Sequence, residues 1–179
     1  MRIISGKHKS RRLSAPKNLP VRPTKDMAKE GLFNILNNTY YFGDVKVLDL
    51  FAGTGNISFE FASRGALNVT AVDRDQGCVA FIEKTSDDLE LGIKVLKNDV
   101  FSYLDNSNET FDIIFADPIY EMDFEDFSKL VSTVFDKKML LEEGVLVIEH
   151  SKRMSLESLP NYSNSRNYGG SVFSFFGGN

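Results

Sequence analysis

The chain predicts a doubly wound α/β fold built on a seven-stranded, mostly parallel sheet, and three observations carry that expectation. Short apolar runs bounded by acids, glycines or prolines recur at 45–50, 69–72, 93–96, 111–116 and 145–148, the form of parallel strands buried on both faces. Between them lie stretches with apolar residues at helical spacing. The last two runs, 162–168 and 171–176, flank Gly169-Gly170 and read as an antiparallel hairpin. Strand–helix alternation followed by a hairpin gives a sheet with one strand running against the others.

Taken in order, residues 2 to 13 alternate loosely around Ser5-Gly6-Lys7-His8-Lys9-Ser10, which predicts a short basic β-hairpin. Pro16, Pro20 and Pro23 hold the connection extended. Thr24 is a suitable N-cap for an amphipathic helix over 24–37, with Ala28, Leu32, Ile35 and Leu36 on its apolar face. Gly31 inside that helix costs roughly 1 kcal/mol against alanine. Helices are further expected after Gly55-Asn56 to about Gly65, over 76–91, near 101–104 and over 124–135.

Composition narrows the class. A length of 179 residues, 42% hydrophobic, suits one globular unit. No apolar run is long enough to cross a bilayer, and the first residues lack a signal-peptide core. One cysteine, Cys78, permits no internal disulfide, and two histidines, His8 and His150, give no zinc ligand set. A cytoplasmic monomer without metal or membrane attachment is expected. Charge is uneven: residues 1 to 25 hold eight basic side chains and no acid, and the other 154 hold 13 basic and 25 acidic. A basic N-terminal segment on an acidic body suggests a polyanionic partner, because lysine and arginine release counterions from phosphates.

The chemistry gathers at strand ends. Asp49-Leu50-Phe51-Ala52-Gly53-Thr54-Gly55-Asn56 is a glycine turn leading into a helix, suited to NAD, FAD or S-adenosylmethionine. Ser58 stands where the dinucleotide pattern has glycine or alanine, against NAD. Asp49 would repel a pyrophosphate but could pair with an ammonium. Asp73, 20 residues after Gly53, follows the second strand and could accept from two ribose hydroxyls. Asp99 follows the third strand and could accept from an adenine amino group beside the Val100 backbone. At the end of the fourth strand, Asp117-Pro118-Ile119-Tyr120 offers a carboxylate and a carbonyl to one NH2 group, with an aromatic ring to cover the attached heterocycle. An exocyclic amine of a nucleobase fits that description.

These motifs resemble those of the class I S-adenosylmethionine-dependent amino methyltransferases, a Rossmann-like fold. More narrowly, Arg2-Ile3-Ile4-Ser5-Gly6, Arg11-Arg12-Leu13, Arg22-Pro23-Thr24, Glu30-x-Leu32-Phe33-Asn34 and Tyr168-Gly169-Gly170 resemble the RsmD family. Its members methylate N2 of a guanine in small-subunit (16S) ribosomal RNA. The resemblance covers nearly the whole chain and implies a basic RNA-binding extension over 1–23 and a methyltransferase domain over 24–179. It implies catalytic roles for Asp117, Pro118 and Tyr120, and cofactor contacts from Asp49, Phe51, Gly53, Gly55, Asn56, Asp73, Arg74, Asp99 and Val100. RNA contacts fall to Lys7, Lys9, Arg11, Arg12 and Arg22, with 16S rRNA or an assembling small subunit as partner. Two positions depart from the family: Ile119 replaces the usual second proline, and Met27 an arginine. The alternatives are an N6-adenine DNA methyltransferase, a catalytically silent RNA-docking module of the same fold, and an NAD-dependent oxidoreductase.

Overall fold

A computed structural model describes residues 1–19, 26–118 and 122–177. The strands are β1 (Lys46–Leu50), β2 (Asn68–Asp73), β3 (Lys94–Lys97), β4 (Phe111–Ala116), β5 (Leu140–Ser151), β6 (Tyr162–Tyr168) and β7 (Ser171–Gly177). The helices are α1 (Asp26–Asn37), α2 (Asn56–Ser63), α3 (Gln76–Asp88), α4 (Val100–Asn106) and α5 (Phe124–Asp136). All seven strands form one sheet in the order β3-β2-β1-β4-β5-β7-β6. The first five are parallel, and β7 runs antiparallel to both β5 and β6, as the sequence predicts.

Alternation along the strands divides the core into two layers. Val47, Ala71, Ile113, Phe115 and Val147 face α1, α2 and α3, meeting Leu32, Phe33, Ile57, Phe59 and Ile82. Leu48, Leu50, Val72, Ile114 and Ile148 face α4 and α5, meeting Leu104, Leu130 and Val134. Three helices begin on an aspartate whose side chain caps a backbone N–H: Asp75 for α3, Asp99 for α4 and Asp123 for α5. Thr24, the expected cap of α1, lies outside the described residues. Gly31 packs against a ring: a Cβ there would come within 2.2 Å of Tyr168 Cε1. The fifth strand runs well beyond its apolar centre: β7 pairs with it from Val145 to Ser151, and Leu140 pairs with Phe111 of β4 at its start.

The N-terminal residues form a hairpin with one antiparallel bridge, Arg2 to Arg12, flanked by Ile3 N–H to Arg11 O at 2.9 Å and Ser10 N–H to Ile3 O at 2.8 Å. This hairpin lies along α2. Ile3 is buried, the backbone N–H groups of Ile4 and Ser5 donate to the Glu60 carboxylate at 2.8 and 3.0 Å, and Lys7 N–H donates to Ser63 O at 2.7 Å. Gly6 allows this approach, since with φ +85° its Cβ would stand 1.8 Å from the Ser63 carbonyl oxygen. The two sheet edges are polar: β3 carries Lys94 and Lys97 at its ends, and β6 reads Tyr-Ser-Asn-Ser-Arg-Asn-Tyr. Among the described residues no helix is long and apolar enough to cross a membrane.

Candidate active site

The strand order reverses between β1 and β4, and α/β sheets of this kind open a crevice at the carboxyl ends of the strands flanking such a point. A cavity of about 630 Å³ lies there, lined by Phe51, Asp73, Arg74, Asp75, Cys78, Asp99, Val100, Phe101, Pro118 and Met122. That size suits a cofactor-scale ligand.

The glycine loop is held by β2. Gly53 N–H donates to the Asp73 carboxylate at 2.7 Å, Asp75 N–H to its other oxygen at 2.8 Å, and Ala52 N–H to Val72 O at 3.0 Å. Phe51, Gly53 and Gly55 all have positive φ, of 58°, 54° and 75°. A Cβ on Gly55 would also press on Ile82 at 2.9 Å and on the Phe59 ring. For Phe51 no glycine relieves the left-handed backbone, a conformation that side chains reach only when the surroundings impose it; the ring it presents lines the cavity.

Asp49 is 2% exposed and accepts from Ser58 twice, from N–H at 3.0 Å and from Oγ–H at 2.6 Å. Burial pushes its carboxyl up from 3.8 to about 7, the Ser58 bonds pull against that rise, and the nearby Asp73 charge adds to it. Such a carboxylate gains more from a cation than any exposed acid would. Ser58, where a dinucleotide fold places glycine or alanine, is thus the partner that keeps Asp49 in place. Asp75 sits below the usual carboxylate range, chiefly through the N–H of Cys78, and burial pushes the Cys78 thiol up to about 12.

Of the residues expected from sequence to hold cofactor, Phe51, Asp73, Arg74, Asp99 and Val100 line the cavity together with Pro118. Asp49, Gly53, Gly55 and Asn56 do not: Asp49 lies in β1, and the other three build the loop and helix start behind it. Asn56 turns its Oδ1 to the buried Lys29 ammonium at 2.9 Å. Asp117 continues the β1–β4 ladder, its N–H facing Leu50 O at 3.5 Å, and is half-buried. Tyr120 and Ile119 lie outside the described residues, as does Arg22. Lys7, Lys9, Arg11 and Arg12 are exposed on the hairpin.

Sequence reasoning missed Asp75, Cys78, Phe101 and Met122 as wall residues. Asp75 had a signal, since an acid three residues before Cys78 at a helix start is a cap pattern.

The family model described as "Conserved hypothetical protein 95" matches residues 1–177. "Putative rRNA methyltransferase YlbH" of Bacillus subtilis (strain 168) is 38% identical over 162 residues, 87% of this chain and 85% of that one. "Ribosomal RNA small subunit methyltransferase D" of Escherichia coli (strain K12) is 29% identical, over 89% of this chain and 79% of that protein. The solved structure of "Putative methyltransferase yhhF from Escherichia coli" superposes with a TM-score of 0.86 at 25% identity, covering 98% of this chain and 96% of that one. With its sheet order, its glycine loop and its match from end to end, the chain belongs to the "Conserved hypothetical protein 95" family, the RsmD methyltransferases.

Proposed function

We propose that this protein transfers a methyl group from S-adenosylmethionine to the exocyclic N2 amine of a guanine in small-subunit ribosomal RNA. The observation that carries the reading is the placement of Asp49, Asp73, Asp99 and Asp117 at the carboxyl ends of four adjacent parallel strands, with Asp73 and Asp99 in the wall of the cavity. The acids divide the work. Asp49, buried and starved of a counter-charge, fits the ammonium of the methionine moiety. Asp73 keeps the glycine loop closed through Gly53 while facing the cavity, where ribose hydroxyls would meet it. Asp99 and Val100, at the start of α4, take the adenine end between Phe51 and Phe101. When bound, the cofactor supplies an electrophilic methyl on a sulfonium.

The chain's own contribution to the transfer lies in Asp117 and Pro118. A guanine N2 lone pair is delocalised into the ring and is weakly nucleophilic. Hydrogen bonds from its two N–H groups to the Asp117 carboxylate and the Pro118 carbonyl favour a pyramidal nitrogen and stabilise the charge that develops on it. Tyr120 is the proposed stacking surface for the base, which has to leave its own stack. Lys7, Lys9, Arg11, Arg12 and Arg22 hold phosphates and fix orientation without reading sequence. Such a substrate sets the place of work in the cytoplasm.

The test is transfer of labelled methyl to unmodified small subunits, naked 16S RNA and duplex DNA in parallel, with Asp117→Ala as control. Methylguanosine in the RNA digest, absent with the variant while cofactor binding persists, is expected. Methyladenine in DNA would replace the reading with the adenine enzyme, and loss of cofactor binding in the variant would remove Asp117 from its assigned role.

A further inference from the structure

Lys29 is fully buried on α1, and its ammonium donates to three acceptors on two other segments, the hairpin and α2, whose first residue ends the glycine loop. These are Arg2 O of the hairpin at 2.6 Å, Asn56 Oδ1 at the end of the glycine loop at 2.9 Å, and Glu60 Oε2 of α2 at 3.1 Å. A lysine has three N–H donors, and here each has a partner. Glu60, also fully buried, receives the hairpin through Ile4 N–H and Ser5 N–H and is paired with Arg64 at 2.8 Å. Thr54 of the glycine loop reaches the hairpin directly, its Oγ1 donating to Met1 Sδ at 3.6 Å. Burial lowers the Lys29 pKa, and Glu60 opposes the shift. A buried charge bonded this fully ties its partners to one geometry, because any movement that breaks a bond leaves a polar group without water.

None of these groups reaches a reacting atom. What they join are the two surfaces that the proposed reaction uses: the basic hairpin and the loop behind the cofactor cavity. We infer that Lys29 is a positioning residue that couples the two, so that RNA held by the hairpin raises the affinity of the loop for cofactor, and cofactor raises the affinity for RNA. The inference rests on RNA being the substrate, as proposed above. Its physical basis is shared ordering: phosphate contacts that fix Arg11 and Arg12 fix the Arg2 strand bridged to them and with it the Arg2 carbonyl, hence Lys29, hence Asn56 and the start of α2. A second ligand then meets a segment already ordered.

The experiment measures binding of S-adenosylhomocysteine to the full chain by calorimetry, with and without saturating unmodified substrate RNA, and binding of the RNA with and without S-adenosylhomocysteine. The wild type is expected to show an increase of about fivefold or more in each direction, equal in both as linkage requires. Lys29→Met leaves Glu60 paired with Arg64, and Asn56→Ala cuts the loop-side bond while the hairpin stays docked. In each the ratio of affinities with and without the other ligand is expected to fall to about one. A structural lysine would lower stability or both affinities together without touching that ratio. A wild-type ratio of one, with RNA bound and methylated, overturns the inference alone, whatever the variants do. A wild-type ratio retained in either folded variant also overturns it. RNA that neither binds nor accepts methyl overturns the functional reading and this inference together.

Discussion

Asp49 joins a buried carboxyl of raised pKa to the proposed contact with the cofactor ammonium, and Asp49→Asn is the most informative single change. Its carboxyl stands at about 7 in the fold against 3.8 for a free carboxyl, with burial as the largest cause. A carboxyl whose folded pKa is raised leaves the native state holding a proton that the unfolded chain has lost. Its contribution to stability is therefore present at low pH and is lost as pH rises through 7. At 1.36 kcal/mol for each tenfold step, the full cost of ionising Asp49 is roughly 4 kcal/mol, and about 1.4 kcal/mol of it falls between pH 6 and pH 8. His150 acts in the opposite sense. Burial lowers its pKa, so its contribution is lost as pH falls below 6.5, and a comparison of variant with wild type cancels it.

Urea unfolding across that pH range, without ligand, should show the wild type losing stability relative to Asp49→Asn by about 1.4 kcal/mol from pH 6 to pH 8. The asparagine keeps an acceptor for Ser58 and carries no charge to bury. Calorimetry should show the converse for function. Cofactor association with the wild type strengthens as pH rises through 7 and releases a proton below it, because an ammonium selects the ionised carboxylate. The asparagine variant should bind at least about tenfold more weakly and lose that pH dependence, a buried charge-assisted contact being worth upwards of about 1.5 kcal/mol. Parallel stability curves for the two proteins would refute the assignment of the raised carboxyl to Asp49. Unchanged cofactor affinity would refute its role toward the ammonium.

Two further outcomes follow from close contacts. Gly6→Ala adds a Cβ against the Ser63 carbonyl in a left-handed conformation, so the hairpin turn should lift from α2. RNA affinity should then fall with no change in charge, whereas Arg11→Ala with Arg12→Ala should lower the slope of log affinity against log salt by about two. Filter binding across a salt series separates these. Gly31→Ala should destabilise by about 1–3 kcal/mol through the Tyr168 ring. In a Tyr168→Ala background the same change should become neutral or stabilising by up to about 1 kcal/mol, the ordinary helix preference, as read from urea midpoints.

The strands of the central sheet were legible because burial on both faces leaves an unbroken apolar signature, as at 111–116, and because acids and glycines close each run. Part of the cavity wall was legible for the same reason, Asp73 closing β2 and Asp99 following β3. Lys29 and Glu60 were not. In sequence they are charged residues on helices that would pass for solvent-facing positions; what buries them is the hairpin, whose amide groups come from residues some 55 positions upstream of Glu60. Nothing local encodes such a partner. The length of β5 was hidden likewise, since Glu142-Glu143-Gly144 reads as a turn, while the structure carries it through with Glu143 at φ 63°.

The C-terminal hairpin has a consequence beyond fold completion. Without it, β5, buried along Gly144–His150, would present a long row of unpaired backbone groups between apolar side chains, an invitation to stack with another copy. β7 covers that row with its own apolar residues, and β6 then closes it with serines, asparagines and an arginine on its outer side. The two strands act in series as an adaptor from a sticky rim to a wet one. Truncation before Tyr162 should therefore show itself first as self-association, before any change at the distant cavity.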